Sequence, residues 1–381
     1  MSRTNEILSD APTKPKRSRG KGIAAATIAV TTIVVSSAFV SSRFLSGSPS
    51  EPTVGAQVVS ANAIAPTKSI EDVWPQAAHE MPTVLPNGGV VRPQAFLDDN
   101  TVLITAESKF ERADGILAYD LNNGKTRKIS DIPTPEGASI FASGFAVGYG
   151  RIGWWTARKK DGKEIADIWS APVSGGKPTI VTSFSLPPRS PEGLITALTV
   201  LRDGFAWSTG NLGVFKVPFS GGDPQAVAGT QGQHIFQWPW VGSPNPRNRR
   251  NIPYQSMLNA ESGERRASGA MDNAQLVACG ITRCVGKQGD AAPAKVHGRD
   301  GREIGEIPLP FVAPQPIRLD RFLTGDGPGW SWSALYDLQT GTAVDLRTDR
   351  SGRRYLPTSD LRLLVMPRDD KFLIVNLAAI A

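Results

Sequence analysis

Asp167-Ile-Trp-Ser-Ala-Pro-Val-Ser-Gly-Gly-Lys-Pro178 and Gly213-Val-Phe-Lys-Val-Pro-Phe-Ser-Gly-Gly-Asp-Pro224 are two copies of one pattern, 46 residues apart. Each reads as a strand, a Ser-Gly-Gly reversal, and a proline that enters the next strand. A second form of the same unit is Leu117-Ala-Tyr-Asp-Leu-Asn-Asn-Gly124, echoed by Leu335-Tyr-Asp-Leu-Gln-Thr-Gly341. Weaker members are Ser256-Met-Leu-Asn-Ala-Glu-Ser-Gly263 and Ala294-Lys-Val-His-Gly-Arg-Asp-Gly301. Six turn glycines, 124, 175, 221, 263, 301 and 341, therefore recur at spacings of 38 to 51 residues. A turn that needs positive φ selects glycine, and a period of about 40–50 residues with several strands is one propeller blade.

Strand candidates fill the intervals: Thr101–Ala106 and Gly115–Asp120, Phe145–Tyr149 and Ile152–Thr156, Ile195–Leu201 and Gly204–Ser208, Ala274–Cys279 and Arg283–Gly286. Leu361–Met366 and Lys371–Asn376 form a last hairpin around Asp369-Asp370 that lacks its outer strand. The segment Lys68–Val91 can supply it, closing the ring with strands from both termini and leaving no exposed edge there. The expected fold is all-β, a β-propeller of seven blades, with six or eight as alternatives. A two-sheet sandwich or an unclosed array of hairpins is the competing reading.

The hairpins at 168–178 and 214–224 resemble the blades of TolB-like propellers. The order of basic tail, apolar segment, linker and repeats resembles membrane-tethered propellers of high-GC Gram-positive bacteria. That resemblance covers roughly residues 70–381. It implies protein or ligand binding in a cell-envelope setting and supplies no catalytic residue. A consistent Trp-Asp dipeptide at blade ends is missing, so cytosolic regulatory propellers match less well.

The net charge of +7 would suggest a polyanion partner if it lay on the repeats. It does not: residues 1–21 carry six Lys or Arg against two acidic residues, leaving +3 for the remaining 360. The main domain is near neutral and no nucleic-acid partner is expected. Gly22 to Ser42 is a 21-residue stretch without charge between Lys21 and Arg43. As a helix it would span about 31 Å, matching a bilayer core of about 30 Å, with the basic flank keeping the N-terminus cytoplasmic. The expected organisation is a basic cytoplasmic tail (1–21), a single transmembrane signal anchor (22–42), a Ser/Pro/Ala-rich linker (43–67) and an extracytoplasmic propeller (68–381). The alternative is secretion after cleavage of a signal peptide near Ala38-Phe39-Val40.

Cys279 and Cys284, the only cysteines, lie on adjoining strand candidates. In an oxidising exterior they form a local disulfide across a turn; a redox pair would more often show CxxC spacing at a helix start. With three histidines in the chain, no metal set of the usual composition is legible. No Gly-x-Ser-x-Gly elbow, HExxH, EF-hand loop or P-loop occurs, and no cofactor is expected.

The segment His234-Ile-Phe-Gln-Trp-Pro-Trp-Val241, followed by Arg247, Arg249 and Arg250, is the candidate binding surface. Trp238 and Trp240 would share a face if they lay on one strand, and aromatics beside guanidiniums can hold sugars, bases or anions. The competing reading is that the tryptophans pack between blades and the arginines are a solvated loop. Trp154-Trp155 and Trp330-Ser-Trp332 read as core and rim. The leading functional reading is a non-enzymatic module that binds a protein or envelope component. Its alternative is a glycan or peptidoglycan hydrolase or lyase with paired carboxylates in the central funnel.

Overall fold

The computed structural model describes residues 66–109, 112–187, 195–243, 254–269, 275–289, 292–309, 311–313, 315–327, 332–346, 356 and 358–381. Of two compact units, Met1–Gln57 and Val58–Ala381, only the second contains described residues. The expected tail (1–21), anchor (22–42) and nearly all of the linker (43–67) thus lie outside the described residues. Among those described, no helix is long and apolar enough to cross a membrane.

The repeat pattern becomes six four-stranded antiparallel sheets and one three-stranded sheet. A four-residue helix, α1 (Ile70–Val73), and then β1 (Ala78–Pro82) precede the first sheet. Blade 1 is β2 (Val90–Phe96), β3 (Thr101–Lys109), β4 (Arg112–Asp120) and β5 (Thr126–Asp131). Blade 2 is β6 (Ala138–Gly148), β7 (Arg151–Lys160), β8 (Lys163–Pro172) and β9 (Thr179–Ser185). Blade 3 holds β10 (Ile195–Val200), β11 (Gly204–Thr209), β12 (Gly213–Pro218) and β13 (Gln225–Ala226). Blade 4 holds β14 (His234–Gln237), β15 (Trp240–Ser243), β16 (Ser256–Asn259) and β17 (Arg265–Ala267). Blade 5 comprises β18 (Gln275–Cys279), β19 (Arg283–Lys287), β20 (Ala294–Gly298) and β21 (Glu303–Ile307). Blade 6 comprises β22 (Phe311–Val312), β23 (Phe322–Asp326), β24 (Ser333–Asp337) and β25 (Ala343–Asp345). Blade 7 is built from β26 (Leu363–Arg368), β27 (Lys371–Asn376) and β1, with Leu356 bridging Val365 on the inner side.

All six marker glycines fall in one place, the turn between the third and fourth strand of blades 1 to 6, and all have positive φ. In blades 1, 4 and 6 the turn opens with Asp120, Asn259 or Asp337. The side-chain oxygen of each accepts an amide two residues on, and its carbonyl accepts the N–H of Gly124, Gly263 or Gly341. This is an Asx turn closed by a left-handed glycine. The Ser-Gly-Gly turns of blades 2 and 3 do something different: they dock on the preceding blade. Ser130 Oγ donates to Gly176 O at 2.9 Å, and Thr182 Oγ1 to Gly222 O at 2.8 Å.

Alternation along the strands sends successive side chains to opposite faces, so each blade packs against both neighbours. Trp154 joins Ile116 of blade 1, while its neighbour Trp155 joins Leu198 and Phe205 of blade 3. These two tryptophans are core, as expected. Seven buried clusters correspond to seven seams between blades, including blade 6 with 7 (Leu335, Leu364) and blade 7 with 1 (Val365, Phe96). The ring is therefore closed with seven blades, and β1 supplies the outer strand that the last unit lacks.

The chain reverses direction at each strand, so the first and third turns of every blade share one face of the ring. The second turns and the blade-to-blade connections share the other. First strands of successive blades, β2 with β6, β6 with β10 and β10 with β14, lie side by side and line the axis.

Candidate functional site

The seam between blades 4 and 5 differs from the rest. Its apolar cluster is small: Phe236, Trp240, Tyr254 and Met257, flanked by Ile281 and Leu361. Polar contacts complete it. Gln237 pairs directly with Trp240, leaving Trp238-Pro239, joined by a cis peptide bond, as the two-residue turn. The expectation that Trp238 and Trp240 share a strand face is thereby corrected, because a reversal separates them. Trp240 is buried, with the Arg266 guanidinium 4.3 Å from its ring centroid. Trp238 is half-buried, and its Nε1 donates to Glu261 Oε1 at 2.8 Å. Arg247, Arg249 and Arg250 lie outside the described residues. Ser243, the last described residue before them, ends β15 on the face opposite the Trp238–Pro239 turn.

Across the seam, Arg299 is a buried cation whose partners are backbone carbonyls. Its Nη2 donates to Tyr254 O at 2.7 Å and Nη1 to Gln255 O at 3.0 Å, both on blade 4. Nε donates to Gly280 O and Ile281 O at 3.1 and 3.0 Å on the first turn of blade 5. Burial pushes the Arg299 pKa down to about 10, with Asp320 pulling it up and Arg266 pushing it further down. The group stays charged at neutral pH. Tyr254, also buried, donates its hydroxyl to Ile235 O at 3.1 Å, and burial raises its pKa.

The turn that Arg299 grips is the one closed by the Cys279–Cys284 disulfide, whose partners face each other across β18 and β19 with Cα atoms 4.0 Å apart. The same turn is tied to blade 6, where the Asp320 carboxylate accepts from Thr282 N and Oγ1. The structural disulfide expected from the sequence is present, and it stiffens this edge of the ring.

These fixed elements frame an open groove of about 430 Å³ on the face of the first and third turns. Arg266, Arg283, Arg299 and Arg302 line it together with Asp300, Ile281, Thr282 and Ile304. Four guanidiniums and one carboxylate line it, and with Arg266 paired to Glu264 the remaining balance is still positive. Sequence reading missed it because its arginines come from separate strands and turns. The available signal was the arginine directly after a turn glycine, Gly301-Arg302, and Arg265-Arg266 just beyond Gly263.

The axis is built differently. Among the described residues, β2, β6, β10, β14, β18 and β22 contain no Asp or Glu. A smaller opening of about 230 Å³ there is lined by Ile140, Ser143, Trp155, Thr196 and Ser359. Ser359 reaches across from blade 7, donating to Phe145 O of blade 2. No group of three or more His, Cys, Asp or Glu among the described residues is placed to hold a metal ion.

No family model and no curated protein matches the sequence. Several solved structures are similar in fold. An oligogalacturonate lyase from Vibrio parahaemolyticus is 9% identical with a TM-score of 0.46, covering 78% of this chain and 90% of its own. YCF48 bound to D1 peptide is 9% identical with a TM-score of 0.46, over 78% of this chain and 96% of its own. BamB from Moraxella catarrhalis is 11% identical with a TM-score of 0.35, over 75% and 85%. At this level of similarity no ligand, activity or partner passes from them to this chain, and the seven-bladed ring rests on its own sheets and seams.

Proposed function

We propose that this chain is an extracytoplasmic propeller, held to a membrane by residues 22–42, that binds a protein or cell-envelope partner without catalysis. The observation that carries the reading is the arginine-lined groove at the seam of blades 4 and 5, set against described axial strands without carboxylates. A funnel hydrolase needs two carboxylates facing its substrate, and the described inner strands offer none. The Cys279–Cys284 bond is consistent with an oxidising exterior. The finer likeness, to TolB-like propellers of Gram-positive envelopes, rests on the two Ser-Gly-Gly turns and the order of segments.

Arg247, Arg249 and Arg250 belong to the proposal as a second basic segment. Changing all three to Ala weakens partner binding without lowering the melting temperature. Affinity capture from native membranes with the tether intact tests the whole reading. A protein or envelope component retained in stoichiometric amount supports it. Turnover of a glycan or peptidoglycan substrate by the purified chain overturns it. A carbonate wash that releases the protein from membranes removes the anchor from the account.

A further inference from the structure

We infer that the groove at the seam of blades 4 and 5 takes an acidic peptide segment, with carboxylates on Arg302 and Arg283 and an apolar side chain against Ile304 and Ile281. This deepens the binding reading above and rests on it.

The four guanidiniums are not equivalent. Arg299 is committed inward to four backbone carbonyls, and Arg266 is held by Glu264, Ile281 O and the Trp240 ring. Arg283 Nε is buried and donates to no described residue. Arg302 is exposed; its backbone N–H donates to Asp300, while its guanidinium forms no hydrogen bond or ion pair with a described residue. Two arginines are thus left without a carboxylate in a groove whose lone acid, Asp300, caps its own turn. A carboxylate in the groove would meet the Arg283 guanidinium from the side that lines it.

The rest of the groove selects among anions. Ile304 is 55% exposed beside the guanidiniums, an apolar contact that an inorganic phosphate would not use. It lies on β21, the last strand of its sheet, whose outer edge can pair with an extended backbone. Guanidinium forks for carboxylates, an isoleucine for an apolar residue, and a free strand edge together describe a peptide of alternating acidic and apolar residues.

Fluorescence anisotropy on the full chain in detergent micelles tests this. The probe is a labelled hexapeptide of alternating Glu and Ile, and the reference replaces each Glu by Lys. The acidic peptide is expected to bind and the basic one not, with binding weakened by added salt. Arg302→Ala is expected to weaken it about tenfold, as for loss of one charge-assisted contact, and Ile304→Ser a few-fold. Both residues are exposed, so the fold is retained. Equal binding of the two peptides, or an unchanged affinity in Arg302→Ala, overturns the inference. So does displacement by millimolar inorganic phosphate with Ile304→Ser at wild-type affinity, which assigns the groove to a phosphate. If the peptide fails while capture from native membranes still succeeds with Arg302→Ala, this inference falls and the binding reading stands. If capture by the wild-type chain fails as well, both fall.

Discussion

Ala78, on the strand that enters the ring, pairs with Val375, on the strand that completes it, across 297 residues of sequence. The contact fastens blade 7 from both ends of the domain. Glu80 and Lys371 form an exposed ion pair over the same register, which solvent screens and which adds little. Met81, fully buried with Ile104 and Ile374, carries more of the closure.

Met81→Ala is therefore expected to lower stability by about 2–5 kcal/mol, the range for emptying a packed core position. Deleting Ala78–Pro82 leaves the outer edge of β27 unpaired, an aggregation-prone edge. Urea unfolding reads the first and size-exclusion chromatography the second. A deletion variant that stays monomeric at wild-type stability contradicts the closure.

Asp337 is wholly buried at the third turn of blade 6, where it accepts from Arg321 Nε and Nη2 at 2.7 and 2.6 Å. Burial pushes its pKa up, but Arg321, the Gln339 amide and the Thr340 hydroxyl together bring it below 3.8. A depressed carboxylate stabilises the fold fully above its unfolded value and loses that contribution as pH falls through the folded one. Asp337→Asn should cost about 1.5–3 kcal/mol at pH 7, because Arg321 loses its carboxylate partner and keeps only the Ile380 and Ala381 carbonyls. The gap between variant and wild type should narrow below about pH 4. A pH-independent gap in chemical unfolding would show that the charge pair is not its cause.

Gly221 and Gly222 separate two demands on one turn. At Gly221, φ is +85° and an added Cβ would lie 2.9 Å from Val181 O on the preceding blade. At Gly222, φ is +121° and the same Cβ would meet open space. Both substitutions by Ala are strained, at about 1–3 kcal/mol, but Gly221→Ala should be the worse. Thermal melting of the two variants checks the order.

Replacing Cys279 and Cys284 with Ser should cost about 2 kcal/mol, since the bond closes a short loop and constrains the unfolded chain little. In protein taken from native membranes, a thiol reagent without reductant should label neither cysteine. Two reactive thiols would contradict both the bond and the oxidising exterior.

The blades were legible because their turns impose local chemistry. Asp120 and Asp337 must cap, and Gly124 and Gly341 must take positive φ, so the period shows in the sequence. Ring closure was legible because a lone hairpin at the end leaves an edge to cover. The tryptophans misled because Pro239 turns the chain between Trp238 and Trp240, which spacing alone does not reveal. The groove was hidden for another reason. Arg266, Arg283, Arg299 and Arg302 come from a fourth strand, a second strand and a third turn with its exit, and only the packing of blade 5 on blade 4 unites them.

The central claim, that partners are bound at the seam of blades 4 and 5, is tested most directly by site-specific photocrosslinking in native membranes. A photoreactive residue replaces Asp300, which is exposed and lines the groove, and in a second variant Lys160, exposed at the second turn of blade 2. The account predicts a discrete adduct from position 300 that excess acidic peptide abolishes, and none from position 160. No adduct from position 300, or the same adducts from both positions, would contradict it.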